Sequence, residues 1–229
     1  MNKLKNQILG LKDFVLKYQS LKKSWGGELN NQAQRKKIFE TIVKNIHFDF
    51  VFETGTYRGT TTEYFYQITG KKVISVEINP RYYFFSYLRF FFNSKVKIIN
   101  NDSRKVLTKI AKNGNHRIDK VFFYLDAHWN NDLPLKEELN IILSGFPNAM
   151  IMIDDFKVPW DDGYGFDDYG VNKILDVNYL SSIIKENIYL FFPYDSKNET
   201  GAKRGTLFLT NNSDFKKVLE KIELLKQYQ

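Results

Sequence analysis

Two apolar runs end in carboxylates: "VFFYLDAHW" places Asp126 directly after Leu125, and "AMIMIDDF" places Asp154 and Asp155 after Ile153, 28 residues beyond Asp126. Runs of this length, rich in aromatic or branched residues, read as buried strands. An unpaired carboxylate at such a position loses its hydration, so these acids must meet a cation or a set of hydrogen-bond donors. Three earlier apolar runs end in the same way, with Glu53 in "FDFVFE", Glu77 in "KKVISVEI" and Asp102 in "KVKIINND". After the first of them comes the turn Glu53, Thr54, Gly55, Thr56, Tyr57, Arg58, Gly59, followed by Thr60, Thr61 and Thr62. Two glycines between a strand and a helix start let backbone N–H groups and the helix dipole face a ligand. A pyrophosphate would want glycine at position 57 for close backbone approach, and Tyr57 disfavours one there. Glu77, 22 residues after Gly55, could instead accept both hydroxyls of a ribose, and Asp102, with Ser103 beside it, could meet an adenine amine.

The elements that position these acids alternate. Strands are expected at "FDFVFE", "KKVISVEI", "KVKIIN", "DKVFFYLDA" and "AMIMIDD". Helices are expected at "TTTEYFYQIT", from Asn79 and Pro80 onward, at "SRKVLTKIAK" closed by Asn113 and Gly114, at "PLKEELNIILSGF" and around "YLSSIIKE". Such alternation implies right-handed crossovers and a parallel sheet covered on both faces, with ligands held outside the carboxyl ends of the strands. "IYLFFPYD" and "RGTLFLTN" have only Ser196 to Lys203 between them, which fits an antiparallel hairpin. A last helix over about 214–228 is expected to follow. Ahead of the sheet, Leu4, Ile8, Leu11, Val15 and Tyr18 form an amphipathic helical stripe, "SWGGELNN" connects, and "QAQRKKIFETIVKNI" reads as a helix capped by Asn30 or Asn31. We therefore expect a helical extension over residues 1–45 and one α/β domain over 46–229.

The chain has 229 residues, no cysteine and a net charge of +8. Disulfides, thiolate nucleophiles and zinc-thiolate sites are excluded, and a reducing, cytoplasmic setting is expected. Lysines interrupt every apolar run near the start, and "YYFFSYLRFFF" is too short to span a bilayer, which takes about 20 residues. Residues 1–45 carry ten Lys or Arg against three acids and residues 81–120 ten against two, whereas residues 121–170 carry two against ten. The segment bearing the strand-end aspartates is thus acidic, which suits a cation better than a phosphate backbone and makes nucleic acid an unlikely partner. The stripe of the first helix needs cover from its own domain or from a second subunit, a possible homo-oligomer; its lysines would alternatively suit an anionic membrane surface.

Taken together, the E-T-G-T-x-x-G turn at Glu53–Gly59, the acid Glu77, Asp102 and the terminal hairpin resemble the class I methyltransferases that use S-adenosylmethionine, over roughly residues 45–212. The resemblance implies a Rossmann-like seven-stranded, mostly parallel sheet with an antiparallel last strand. It also implies a cofactor site made by Glu53, Thr54, Gly55, Thr56, Gly59, Thr60, Thr61, Glu77, Asp102, Ser103 and Asp126. The spacing of Asp126, Asp154 and Asp155 is similar to that of the metal-dependent O-methyltransferases of the catechol and macrocin type. It implies that these three hold Mg²⁺ to orient and acidify a hydroxyl, with His128 as general base. His128 has a suitable ordinary pKa of about 6.5. Trp129 and Trp160 could wall the acceptor pocket, and "VPWDDGYGFDDYG" suits a loop over the site. The implied activity is methyl transfer to a hydroxyl of a small molecule such as a sugar or glycoside. Alternatives are a metal-free or nucleic-acid-directed methyltransferase of the same fold, or a cofactor-binding protein without turnover.

Overall fold

The computed structural model describes residues 3–113, 119–127 and 132–228. Helix α1 (Lys3–Leu21) and two short 3-10 turns (Ser24–Gly26 and Glu28–Asn31) lead into α2 (Ala33–Asn45). Four strand–helix units follow: β1 (Phe50–Thr54) with α3 (Thr60–Thr69), β2 (Lys72–Glu77) with α4 (Pro80–Arg89), β3 (Val96–Asn100) with α5 (Ser103–Asn113), and β4 (Val121–Leu125) with α6 (Leu135–Gly145). Then come β5 (Ala149–Asp154), β6 (Tyr189–Pro193), β7 (Thr206–Thr210), α7 (Ser213–Leu219) and β8 (Leu225–Gln227).

Among the described residues the strands form one sheet in the order β3-β2-β1-β4-β5-β7-β6-β8. Strands β1 to β5 pair in parallel, and β7 runs antiparallel between β5 and β6. Alternation along the central strands sends Phe52, Phe123 and Ile151 into a core with α5 and α6, and Val51, Phe122 and Met150 into a second core with α2, α3 and α7. The strand order reverses between β1 and β4, so the carboxyl ends of these two strands open the crevice where such sheets take ligands.

The expected sheet, the hairpin and the Asn79–Pro80 start of α4 are all present. Asn79 Oδ1 accepts the Arg81 N–H at 3.0 Å, which caps the helix. Three expectations are corrected. The "YLSSIIKE" segment makes isolated turns rather than a helix, with Leu180 and Ile183 buried. Tandem serines and β-branched isoleucines are weak helix formers, and a few i→i+3 turns suffice to bury those two side chains. The last helix stops at Leu219, because Leu225–Gln227 leaves it to pair with the free edge of β6 as an eighth strand. Finally, the N-cap position of α2 is Gln32, not Asn30 or Asn31, and the N-terminus of the helix is satisfied from outside. The Glu199 carboxylate, on the β6–β7 hairpin, accepts the Gln34 and Arg35 N–H groups at 2.9 and 3.2 Å. An acid at that end also meets the positive pole of the helix.

Candidate functional site

The turn after β1 is shaped by close backbone packing. Gly55 has φ of 84°, and a Cβ there would lie 2.2 Å from the Asp126 carbonyl oxygen, so only glycine lets β1 and β4 approach this closely. Gly59, also at positive φ, ends the turn and starts α3. Around this turn lies a cavity of about 510 Å³, within the usual range for a small-molecule site. Of the residues expected to bind a cofactor, Glu53, Gly55, Thr56, Thr60, Thr61, Glu77, Asp102, Ser103 and Asp126 line it. Thr54 and Gly59 are not among the lining residues.

The lining acids differ in their partners. Glu77 accepts the Tyr57 N–H on Oε2 and the Asn79 N–H on Oε1, each at 2.7 Å, with the Ile78 N–H a further backbone donor, and it lines the cavity where a ribose hydroxyl could reach it. Glu53 accepts the hydroxyls of Thr62 and Ser75 on one oxygen. Burial pushes Glu53 and Glu77 each up to about 7, against the hydrogen bonds that favour their charged forms. Asp126 is raised well above the carboxylate range by burial and then by the neighbouring Asp154, Asp155 and Glu53. Asp102 departs from its expected role: Arg104 grips it through Nε and Nη2, at 3.0 and 2.7 Å for the nearest contacts, and holds its pKa down. An adenine amine would have to share that carboxylate with a guanidinium.

The cation that meets the strand-end aspartates is part of the chain. Arg35, on α2, is buried and ion-paired with buried Asp154, and its Nη2 donates to the carbonyls of Arg204 and Gly205. Asp154 Oδ1 accepts from Arg35 Nη1 and the Asp155 N–H; Oδ2 accepts from the Tyr124 hydroxyl at 2.6 Å and Asn30 Nδ2 at 3.2 Å. Its four acceptor positions are thereby filled. Asp155 accepts Arg204 Nε at 2.6 Å. It is nevertheless pushed up to about 7, by burial first and then by Asp154. The expected Mg²⁺ site therefore does not fit: of Asp126, Asp154 and Asp155, two are already engaged by arginines. Among the described residues no group of three or more acidic or histidine side chains is placed to hold a metal ion. His128 and Trp129 lie outside the described residues.

Other expectations shift as well. Trp160 packs on Phe192 and donates to the Tyr194 carbonyl at 3.0 Å, at the β6 side of the sheet and away from the cavity lining. The 158–170 loop is tied to the chain around β7, with Gly165 N bonded to the Lys203 carbonyl and Gly205 N to the Gly165 carbonyl. Conversely, "SWGGELNN" does more than join two helices, because Ser24, Trp25, Gly27 and Asn30 line the cavity. Thr60 Oγ1 donates to the Lys22 carbonyl at 2.9 Å, so this hydroxyl holds the strap in place. Trp25, Leu29, Asn30 and Asn31 all take positive φ there. The paired glycines were the available signal for such a strained crossing. Tyr57, which replaces the missing glycine, stands edge-on to Tyr82 at 4.5 Å, and both line the cavity.

No family model matches the chain, and no curated protein matches it by sequence. Solved structures do match. An O-methyltransferase from Bacillus cereus in complex with SAH is 13% identical, with a TM-score of 0.56 over 90% of either chain. An O-methyltransferase from Streptomyces achromogenes involved in tomaymycin synthesis, in complex with SAM, is 14% identical, with a TM-score of 0.55 over 78% of this chain and 79% of that one. An SAH-bound methyltransferase from Podospora anserina is 16% identical, with a TM-score of 0.52 over 76% and 75%. The chain shares their fold.

Two outcomes follow from the electrostatics. Glu53, Glu77, Glu138 and Asp155 each titrate near 7 in the folded protein, and Asp126 is raised further. Unfolded, all would titrate near 4. Between those values the native state holds more protons, so stability falls as pH rises; the lowered acids Asp13 and Asp102 act only below this window. Ligand-free protein should melt at a lower temperature at pH of about 8 than at about 5.5, and a melting point that rises across this range would contradict the assignment. Arg35→Met should cost about 3–5 kcal/mol by urea denaturation, because it strands a buried charge, and adding Asp154→Leu should recover part of that loss. A single-variant cost below about 1 kcal/mol would show the pair to be a surface one.

Proposed function

We propose that the protein transfers a methyl group from S-adenosylmethionine to a hydroxyl of a small molecule. The observation that carries this reading is Glu77, at the end of β2, lining a cavity that a Gly55 turn opens at the carboxyl ends of β1 and β4. This is the topological switch point of the sheet. The three solved structures described above support it, since each is of a methyltransferase in complex with SAM or SAH and two are O-methyltransferases.

When bound, S-adenosylmethionine supplies an electrophilic methyl group on a positively charged sulfur. Glu77 would accept a ribose hydroxyl beside its backbone donors. Glu53 and Asp126 line the cavity with their pKa values raised by burial, and a cationic ligand beside them would favour their charged forms. Tyr57, Tyr82 and Trp25 supply aromatic surface to the cavity on the strap side, with the Trp25 and Tyr57 rings 6.2 Å apart. His128 is the proposed base for the hydroxyl proton, and Asp126 the carboxylate that offsets positive charge near the reacting atoms. No step is routed through a divalent cation, because two of the three aspartates that would hold one, Asp154 and Asp155, are committed to Arg35 and Arg204. The acceptor class, a sugar or glycoside hydroxyl, rests on the resemblance alone.

Calorimetric titration with S-adenosylmethionine in excess EDTA should show one site per chain. Glu77→Gln should weaken it about 10- to 100-fold, the loss of one to two charge-assisted hydrogen bonds. With a sugar and glycoside panel, S-adenosylhomocysteine should form at an EDTA-independent rate. Asp126→Asn and His128→Ala should lower that rate by roughly 10²-fold. Wild-type affinity in Glu77→Gln, or turnover abolished by EDTA and restored by Mg²⁺, would overturn this reading.

A further inference from the structure

Helix α1 packs on α4 through Phe14 and Tyr18, whose rings meet Phe85 at 5.6 and 6.0 Å, together with small and polar residues. Asn6, Gly10 and Asp13 are buried, whereas Ile8, Leu11, Val15 and Leu16 are exposed, Val15 to 67%. Specific contacts set this orientation. Asp13 accepts two bonds from Arg81 on α4, at 2.7 and 3.0 Å, and a Cβ on Gly10 would lie 2.4 Å from the Arg81 carbonyl oxygen. Rotating the helix to hide its leucines would break the ion pair and bring side chains to where only glycine fits. The outward stripe of Ile8, Leu11, Val15 and Leu16 is therefore enforced by the packing, although an exposed apolar stripe on a helix is not the usual arrangement.

The turn after α4, the helix that α1 packs against, also exposes apolar side chains. Phe91 and Phe92 follow Arg89 and Phe90, with Phe91 57% and Phe92 96% exposed, and their rings contact each other at 5.1 Å. Phe91 also meets Tyr87 of α4, itself partly exposed. A fully exposed phenylalanine on a turn, next to a second one, is not what a water-facing surface selects.

Charge says what the surface meets. The only acid in α1 is Asp13, which Arg81 neutralises, and Lys3, Lys5, Lys12 and Lys17 of this helix are exposed. Helix α1 packs along α4, whose Arg81 and Arg89 are paired with Asp13 and Glu63, so the exposed positive charge of this face comes from the lysines of α1. A second copy of this face would bring like-charged lysines into apposition. An anionic lipid surface takes both components, accepting apolar side chains below the headgroups and lysines among them. No described helix is long and apolar enough to cross a membrane. We infer that the protein docks peripherally on anionic bilayers, with the outward face of α1 and the Phe91–Phe92 turn inserted at the interface. This surface is separate from the cavity and does not depend on methyl transfer.

Vesicle flotation tests it. Wild-type protein should float with phosphatidylcholine vesicles containing phosphatidylglycerol, be released by high salt, and not float with phosphatidylcholine alone. Phe91→Ser with Phe92→Ser should lower partitioning about tenfold or more. Lys5→Gln and Lys12→Gln should each lower it about fivefold. All these residues are exposed, so unchanged melting and cofactor affinity will show that the variants fold. In Phe92→Trp, the emission of the new tryptophan should shift to the blue on adding anionic vesicles and be quenched by brominated lipid. Absence of binding to anionic vesicles, equal binding to neutral ones, or binding unaffected by these substitutions would overturn the inference. A dimer seen by light scattering that Val15→Ser dissolves would assign the face to a second copy instead.

Discussion

A carboxylate at the end of a central strand has lost most of its water, and in this protein a single guanidinium makes that position tenable for Asp154. Arg35 and Asp154 come from elements 119 residues apart in sequence, and both are buried. Several other features are arranged to bring them together. Glu199, on the β6–β7 hairpin, caps α2 and so fixes the first turn that bears Arg35. Gln32, just ahead of α2, bonds through its side chain to the Arg204 backbone on both sides, accepting its N–H and donating to its carbonyl. The strap from Ser24 to Asn31 is thereby drawn across the carboxyl edge of the sheet, where Asn30 reaches Asp154 and Trp25 lines the cavity. One buried ion pair thus links the N-terminal helices, the terminal hairpin and the wall of the site.

The same edge carries an excess of acid that is not neutralised. Arg35 and Arg204 answer Asp154 and Asp155, and Arg104 answers Asp102. For Glu53, Glu77 and Asp126 the cost of burial is met by proton uptake. A cavity of this kind is poised for a cationic ligand, whose charge would do for these three acids what the arginines do for the others. Affinity for such a ligand should be linked to the protons it displaces, which ties the chemistry of the site to the pH response of the fold.

Much of this was legible in the order of residues. The period of apolar runs, the acid at the end of each, the glycines of the first turn and the short span before the last strand define a parallel sheet with a reversed hairpin and a ligand edge. The partners of the acids were not legible, because pairing Arg35 with Asp154 requires knowing how α2 crosses the sheet. Nor was the strap: "SWGGELNN" has the composition of a connector, and only its packing against Thr60 and Thr61 places it at the cavity. The segment around Leu180 shows helical spacing over too short a span, and Leu225–Gln227 becomes a strand only because β6 has an open edge to offer. For α1 the stripe was plain, but the side it turns to the protein is set by Gly10 and Asp13, which pattern reading counts as polar surface.

Arginines of the chain balance Asp154 and Asp155, and on the function proposed above the adjoining cavity takes the methyl donor without a metal. Anomalous diffraction from a crystal grown with S-adenosylhomocysteine and soaked in Mn²⁺ tests both parts at once. The account predicts density for the nucleoside with its ribose on Glu77, Arg35 still bonded to Asp154, and no manganese peak among Asp126, Asp154 and Asp155. A manganese peak at those three carboxylates with Arg35 swung away, or a cavity without nucleoside density, would contradict it.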